Sequence, residues 1–171
     1  MGNLATPEAL TLRWAEVCRD PSLQDLPYKI ELNSWGKIEM SPASYRHALL
    51  QGAVAVELGR QLTSGKVLTE CPVLTDIGVR VPDVAWASDE FNRRNGESTP
   101  CLSAPEICIE IRSPANSDAE IAAKTKAYLA TGAREVWVVE DSGAIRYFDS
   151  KGEKPASGFG VSISLPPRLD P

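Results

Sequence analysis

The sequence is poor in the residues that build several common kinds of site. It contains one histidine, His47, and its four cysteines (Cys18, Cys71, Cys101 and Cys108) form no CxxC pair. A zinc site of cysteine and histidine needs closely spaced ligand pairs, so we do not expect one here. We expect four reduced and mostly buried thiols, because free cysteine is among the most buried residue types.

Long apolar runs and two familiar catalytic motifs are also missing. No run approaches the roughly 20 apolar residues that span a membrane. Residues 1–8 lack a basic stretch followed by an apolar one, so we expect no signal peptide and a cytoplasmic protein. The absence of GxSxG and GxxxxGK[ST] argues against a serine-hydrolase elbow and a nucleotide phosphate loop.

A surplus of basic charge is absent as well. The chain has 18 Lys and Arg against 23 Asp and Glu, a net charge of −5. Proteins that grip DNA tightly and without sequence preference usually present a basic face, so this balance counts against such binding by a monomer. It does not exclude a nuclease, because carboxylates that bind metal themselves lower the net charge.

What is present is an ordinary globular composition, with 43% apolar and 24% charged residues over 171 positions. The predicted helices cover residues 7–20, 43–63 and 117–131. Thr6 and Pro7 suit the cap and first turn of the first helix, and Ser41-Pro42 opens the second. The second helix is apolar around most of its circumference, which predicts burial on more than one side.

Alternating apolar residues and turn signals predict the strands. They cover residues 28–33, 37–40, 66–74, 79–87, 106–112, 134–140 and 144–149, with an edge strand added by the tail at 158–165. Residues 88–104 are interpreted as a helical turn followed by a surface loop. The order of elements predicts one mixed α/β domain over residues 1–171, with a curved central sheet flanked by helices. Its core covers about residues 28–149, preceded by the helix at 7–20 and followed by a tail at 150–171.

Two acidic residues on predicted strands are the most informative feature. Side chains alternate along a strand, so Glu110 points away from Ile109 and Ile111, which face the core. A carboxylate in the middle of an apolar strand is costly unless it is paired or bound to metal. If the strand after Asp83 lies beside that of Glu110, the two carboxylates converge. Together with the Ile111 carbonyl they would form a hard-oxygen site suited to Mg²⁺ or Mn²⁺.

Two residues are candidates for a catalytic cation beside this site. Arg112 follows Glu110 by two positions, but arginine stays protonated and is a poor proton acceptor. Lys124 lies on the following helix and is the better candidate, because a desolvated lysine can shift its pKa. The alternative remains open at this point: Glu110 and Arg112 form a surface ion pair, and Asp83 merely follows Pro82 in a turn.

Several segments resemble those of a known family. They are Gly36 to Pro42, Tyr45-Arg46-His47, Val81 to Trp86, Pro105 to Pro114, and Lys124, Tyr128, Gly132 and Glu135 to Val139. In this order they resemble the Uma-two family, described as "putative restriction endonuclease", within the PD-(D/E)xK nuclease superfamily. The resemblance covers roughly residues 28–149.

The resemblance implies a restriction-endonuclease-like core and makes Asp83 and Glu110 metal ligands. The superfamily motif ends in a lysine two residues after the second acid, where this chain has Arg112. Related proteins often carry that lysine on the next helix instead, a position that Lys124 fits. This departure leaves open which of the two is the catalytic cation.

Accessory roles are possible for two residues of the long helix. His47 resembles a recurrent family histidine, or is a helix-start histidine bonded to backbone. Glu57 is either the helical acid of many PD-(D/E)xK enzymes or part of a solvated helix face, which is the commoner case. Arg93 and Arg94 either contact DNA phosphates or are a solvated pair.

Two functions follow as hypotheses. The first is a Mg²⁺-dependent endonuclease that acts on DNA and forms a homodimer when the target is duplex, because two strands need two sites. The second is a catalytically weak or inactive nuclease-fold protein that serves as a binding or interaction module. The acidic charge and the missing motif lysine favour this alternative.

Overall fold

The structure is a computed structural model that describes residues 4–168. Four α-helices and ten strands follow one another along this part of the chain. In order they are α1 (Pro7–Val17), β1 (Tyr28–Asn33), β2 (Ile38–Pro42), α2 (Tyr45–Gln61), β3 (Lys66–Thr69), β4 (Val73–Thr75), β5 (Gly78–Arg80), β6 (Val84–Ala87), α3 (Asp89–Asn95), β7 (Ile107–Ile111), α4 (Asp118–Ala130), β8 (Glu135–Val139), β9 (Ile145–Asp149) and β10 (Gly152–Lys154). The mixed α/β class predicted from the sequence is confirmed.

The strands form two sheets. The first has four antiparallel strands in the order β2-β1-β5-β4. The second has six strands in the order β10-β9-β8-β7-β6-β3, with one parallel pair, β7 and β8. A parallel pair needs a crossover connection, and α4 supplies it.

Short polar residues begin the helices. The side chains of Thr6, Ser44 and Ser117 accept backbone N–H groups from the first turns of α1, α2 and α4. Each bond satisfies a donor that has no partner within the helix. The cap of α1 is the one predicted. The cap of α2 is Ser44 and not Ser41-Pro42, which belongs to β2.

Helices α2 and α4 cover opposite faces of the six-stranded sheet. Leu50, Val54 and Leu58 of α2 pack in one cluster with Ile107, Ile109 and Ile111 of β7. Because side chains alternate along a strand, Cys108 and Glu110 face the other way. Cys108 packs there with Tyr128 of α4.

The prediction that α2 is buried on more than one side is wrong. Its buried residues are Leu50, Val54 and Leu58, which lie four residues apart on one stripe. Val56, on another side of the helix, is 58% exposed. Alanines and Gly52 supply much of the remaining apolar character, and such small side chains do not require burial.

Two predicted strands are each divided between the sheets. Residues 66–74 form β3 and β4, and residues 79–87 form β5 and β6. The chain crosses from one sheet to the other at Pro72 and at Pro82. Proline has no N–H to donate to a sheet ladder, so each crossing falls where pairing is interrupted.

The predicted edge strand at 158–165 is also wrong, because these residues, all within the described range, form no strand. Val161 is buried instead, and Phe159, Ile163 and Leu165 pack against the core of the six-stranded sheet. The edge position is taken by β10, which pairs with β9. No helix within residues 4–168 is long and apolar enough to cross a membrane.

Candidate active site

Asp83 lies at the second crossing between the sheets, one residue before β6. The pairing of Val84 with Ile109 places it beside the end of β7. Its Oδ2 accepts the backbone N–H of Ile111 at 2.7 Å. The Gln51 side-chain amide of α2 donates to the Asp83 carbonyl at 3.0 Å. Asp83 is therefore fixed by both the six-stranded sheet and a helix, and it is only 1% exposed.

Glu110 occupies the centre of the same site from β7. It is buried on the α4 side of the sheet. The Tyr128 hydroxyl donates to Glu110 Oε1 at 2.6 Å. Lys124 Nζ lies 3.4 Å from Glu110 Oε2. Lys124 lies one helical turn before Tyr128, so α4 brings both side chains to Glu110. The role of Lys124 as the catalytic cation stays a prediction.

Lys29 of β1 joins the two acids. Its Nζ lies 2.7 Å from Asp83 Oδ1 and 3.6 Å from Glu110 Oε2. It also donates to the carbonyl of Val81 at 3.1 Å. Asp83 and Glu110 thus point toward one shared cation, although 26 positions of chain and a complete helix separate them in the printed sequence.

A third buried acid continues this network. Glu31 of β1 accepts Lys124 Nζ at 2.8 Å through Oε2 and the Val81 N–H at 2.8 Å through Oε1. Arg80 lies 3.5 Å from Glu31 and 2.6 Å from Glu39. Acidic and basic groups therefore alternate across the contact between β1 and the six-stranded sheet.

His47 reaches the site from the first turn of α2. Its Nε2 lies 3.2 Å from Asp83 Oδ1. The Ser44 hydroxyl accepts the His47 backbone N–H at 3.1 Å. The His47 backbone is therefore part of the helix cap while its ring lies at the acidic site, and a role for the ring there stays a prediction.

Burial and nearby cations act against each other on the two acids. Burial alone would raise the pKa of Asp83, but the hydrogen bond from His47 and the charge of Lys29 outweigh it and lower the pKa to about 2. For Glu110, burial prevails over the attraction of Lys29 and Lys124, and the pKa is raised. The two carboxyl groups are thus held in unlike electrostatic environments.

Both lysines are held in the charged form. Burial would lower the pKa of Lys124, but Glu110 and Glu31 outweigh it, and the pKa is raised. The pKa of Lys29 is raised in the same way by Glu110 and Asp83 against the effect of burial. The expectation that desolvation tunes Lys124 toward a neutral amine therefore does not fit its surroundings. Lys124 can donate a hydrogen bond or stabilise negative charge, but it is poorly suited to accept a proton.

A cavity of about 340 Å³ opens onto Asp83 and Glu110. Lys29, His47, Ile111 and Lys124 also line it, so this space brings together most of the predicted site. Ile111 uses its N–H to bind Asp83, and the role predicted for its carbonyl stays a prediction. Within residues 4–168, no group of three or more His, Cys, Asp or Glu side chains is arranged to hold a metal ion.

Arg112 is not brought to the acids. Strand β7 ends at Ile111, and the Arg112 guanidinium instead pairs with Asp118 at 2.5 Å and lies 3.7 Å from Glu140. The sequence-based alternative of a Glu110–Arg112 ion pair is not found in the described residues either. The alternation of side chains along a strand does not place Arg112 on the face of Glu110, because residue 112 lies beyond the end of β7.

The remaining predicted residues lie elsewhere. Glu57 bonds to Arg60 and Gln61 of its own helix, as the solvated-face interpretation predicts. Arg93 and Arg94 belong to the last turn of α3, and neither lines the cavity that contains Asp83. Their proposed contact with DNA stays a prediction.

Sequence reasoning missed Lys29 and Glu31 and gave Tyr128 no role at the site. The signal for the first two was present, because Lys29 and Glu31 alternate with Ile30 and Leu32 on a predicted strand. Nothing in the sequence indicated that this strand lies against Glu110. Tyr128 follows Lys124 by four positions and therefore shares its helix face.

Comparison with known proteins supplies a family and a fold. The family model Uma2, described as "Putative restriction endonuclease", matches residues 16–169. A crystal structure from Anabaena variabilis, titled a putative nuclease belonging to DUF820, is similar with a TM-score of 0.63. The identity is 17%, and the match covers 76% of this chain and 82% of the other. No curated protein matches.

We predict that Tyr128→Phe destabilises the protein by about 1–3 kcal/mol, because the fully buried Glu110 carboxylate would lose a hydrogen-bond donor. Urea unfolding at neutral pH measures this change. Tyr147→Phe is the matched control, because its ring packs on Trp137 while its hydroxyl makes no hydrogen bond within the described residues. Equal losses for the two variants would contradict the assignment of this bond.

We also predict a specific dependence of stability on acid pH. The pKa of Asp83 is lowered to about 2 from its ordinary 3.8, so its stabilising effect is present above about pH 4 and is lost as the pH falls through that interval. Between about pH 5 and about pH 3, the parent should lose about 1 kcal/mol more than Asp83→Asn. Asp76→Asn, a change at an exposed acid, should behave like the parent. Parallel pH curves for the parent and Asp83→Asn would contradict this.

Proposed function

The chain belongs to the Uma2 family, and from this premise we propose that it is a divalent-metal-dependent endonuclease that hydrolyses phosphodiester bonds of DNA. One observation carries the proposal. Carboxylates from two distant segments, Asp83 and Glu110, lie within 2.7 and 3.6 Å of the same cationic atom, Lys29 Nζ. A nuclease of this kind needs two acids directed at one cation.

The donor set fits a hard divalent ion. Asp83 and Glu110 supply carboxylate oxygens at the cavity, and the Ile111 carbonyl is the proposed third ligand. Oxygen ligands of this kind suit Mg²⁺ or Mn²⁺. When bound, such an ion lowers the pKa of a coordinated water and stabilises negative charge on a phosphoryl group.

Two lysines are assigned different roles. Lys124 stays protonated between Glu110 and Glu31, so it would stabilise charge that develops on the phosphate rather than remove a proton. Lys29 neutralises Asp83 and Glu110 in the metal-free chain, and it would have to share these carboxylates with an incoming ion. Tyr128 orients Glu110 through its hydroxyl. His47 orients Asp83 through its ring Nε2.

A basic groove beside the site supports a phosphate backbone as the ligand. It is a cavity of about 910 Å³ between α4 and the β9–β10 hairpin, and Arg112, Lys126, Arg146 and Lys151 line it together with Asp118 and Asp149. Arg112 and Arg146 are paired with Asp118 and Glu153, whereas Lys126 and Lys151 make no ion pair within the described residues. Segment 112–118 borders both this groove and the site cavity. A homodimer for duplex cleavage stays a prediction. Its rationale is that each of the two strands would need a site.

A second candidate is a nuclease-fold binding module without catalysis. The observation that favours it is the charge balance of the metal-free site, in which Lys29 and Lys124 already neutralise Asp83, Glu110 and part of Glu31. Metal binding distinguishes the two candidates, because the endonuclease requires it and the binding module does not.

We predict that Asp83→Asn and Glu110→Gln each reduce Mg²⁺-dependent DNA cleavage by about 10²-fold or more, because each removes an anionic ligand while keeping the side-chain size. The assay uses plasmid, single-stranded and branched DNA with Mg²⁺ and Mn²⁺. Glu57→Gln is the matched control and should retain activity, because Glu57 lies outside the cavity. Either site variant cutting as fast as the parent would refute the mechanism.

We further predict that Lys29→Met makes folding more dependent on metal. The change leaves two buried carboxylates without their shared cation, so the metal-free variant should melt below the parent. Mn²⁺ at about 100 times its Kd should raise the Tm of the parent by roughly 5–10 °C and that of Lys29→Met by more. Calorimetric scanning with and without Mn²⁺ measures both shifts. Lys66→Met, a change at an exposed lysine, should have the Tm and the Mn²⁺ shift of the parent. If Mn²⁺ leaves the Tm of Lys29→Met unchanged, the binding module is favoured.

A further inference from the structure

Two buried cysteines lie side by side away from the proposed catalytic groups. Cys71 is in the crossing between β3 and β4, and Cys101 is in the segment between α3 and β7. Their Sγ atoms are 3.6 Å apart. Cys71 is 8% exposed and Cys101 is 5% exposed, and Phe91 and Ala87 pack in the same cluster. The pair is thus shielded from large reagents but close to the surface.

Backbone hydrogen bonds hold the two cysteines in register. The Cys101 N–H donates to the Pro72 carbonyl at 2.9 Å, and the Leu74 N–H donates to the Cys101 carbonyl at 2.9 Å. Val73 and Cys101 therefore form a parallel bridge. A disulfide requires the two sulfurs to approach to about 2.0 Å. The backbone bonds involve Cys101 itself and Pro72, the neighbour of Cys71, and the sulfurs have to approach by about 1.6 Å from their present 3.6 Å.

The pKa values of the two thiols are shifted in opposite directions. The two sulfurs share a hydrogen bond in which either can be the donor, and this bond lowers the pKa of Cys101 to about 7. The same hydrogen bond, together with burial, raises the pKa of Cys71. The thiolate is the reactive form of cysteine, so the lowered pKa favours Cys101 as the sulfur that reacts first.

The other two cysteines lack these features. Cys18 is exposed at the end of α1. Cys108 is buried in β7, donates to the Pro105 carbonyl at 3.6 Å, and has a pKa raised by burial. We therefore expect an oxidant to link Cys71 with Cys101 rather than with Cys18 or Cys108.

We propose that Cys71 and Cys101 form a reversible oxidation site, in which a peroxide converts the two thiols into an intramolecular disulfide. The Cys101 thiolate attacks one peroxide oxygen, the O–O bond breaks, and the products are a sulfenic acid and hydroxide. The Cys71 sulfur then attacks the Cys101 sulfur. The S–O bond breaks, and the sulfenic oxygen leaves as water with the Cys71 proton. The two thiols are oxidised by two electrons in total, and the peroxide is reduced to two waters.

The cross-link joins segments that border the proposed catalytic site. It closes a loop of about 30 residues, which contains β4, β5, β6 and Asp83. Glu70, the neighbour of Cys71, lines the site cavity and donates its N–H to the Asp83 carbonyl at 3.3 Å. The disulfide would thus restrain the crossing segment without removing any group from the cavity.

Intact mass and peptide mapping test the proposal on the full chain. The Cys18→Ser variant, which removes the exposed thiol, is treated with stoichiometric hydrogen peroxide, and the remaining thiols are alkylated under denaturing conditions. Before alkylation we expect a monomer lighter by two hydrogen atoms. After alkylation we expect one peptide pair linking Cys71 and Cys101, and an alkylated Cys108. Dithiothreitol added before alkylation should restore the Cys71 and Cys101 thiols. The oxidised form should melt roughly 5–15 °C above the reduced form, because the cross-link restricts the unfolded chain.

Single variants establish the order of the steps. Cys71→Ser should accumulate a sulfenic acid at Cys101 that dimedone traps, whereas Cys101→Ser should give no such adduct at Cys71. If either single variant fails to fold, the peptide map of oxidised Cys18→Ser alone tests whether Cys71 and Cys101 are linked. The proposal is overturned if both cysteines remain alkylatable after oxidation, if Cys108 is the linked partner, or if the oxidised form melts at or below the reduced form.

Discussion

The ammonium group of Lys29 between Asp83 and Glu110 is the interaction on which the site depends. Removing a carboxylate from water is costly unless a partner compensates for the lost hydration. Here the acids lie 1% and 3% exposed, and Lys29 is the one group that contacts both within hydrogen-bonding or ion-pair distance in the described chain. The other partners serve one acid each, namely His47 and the Ile111 N–H for Asp83, and Tyr128 and Lys124 for Glu110.

This interaction also joins the two sheets. Lys29 and Glu31 belong to β1 of the four-stranded sheet, whereas Glu110 belongs to β7 of the six-stranded sheet. The ion pair of Lys29 with Glu110 therefore crosses the contact between the sheets, and that of Lys124 with Glu31 joins β1 to α4, which covers the six-stranded sheet. Breaking such a buried pair leaves an uncompensated charge, which is more damaging than losing a surface pair. The ion pairs that fix the positions of the acids are consequently also the ones that hold the sheets together.

The sequence indicated the parts of the site that local patterns determine. Glu110 stood out because it interrupts an isoleucine run, and Lys124 because a helix follows the strand. Lys29 and Glu31 were missed because their role arises from a contact between sheets, which no periodicity reports. The strands at 66–74 and 79–87 were predicted as continuous for a similar reason, since a crossing at Pro72 or Pro82 leaves the apolar pattern almost unchanged. Arg112 was misplaced because alternation was extended one residue beyond the strand.

The charge balance explains how an acidic protein can offer a place to a phosphate under the proposed function. Three buried carboxylates, those of Glu31, Asp83 and Glu110, face two ammonium groups, and Arg80 divides its charge between Glu31 and the half-exposed Glu39. The metal-free site is therefore close to neutral, whatever the net charge of −5 on the whole chain. A divalent ion held by Asp83 and Glu110 would make this small volume positive, because neither Lys29 nor Lys124 readily loses its proton. Local charge at the cavity, rather than the charge of the surface, then determines which ligand is attracted.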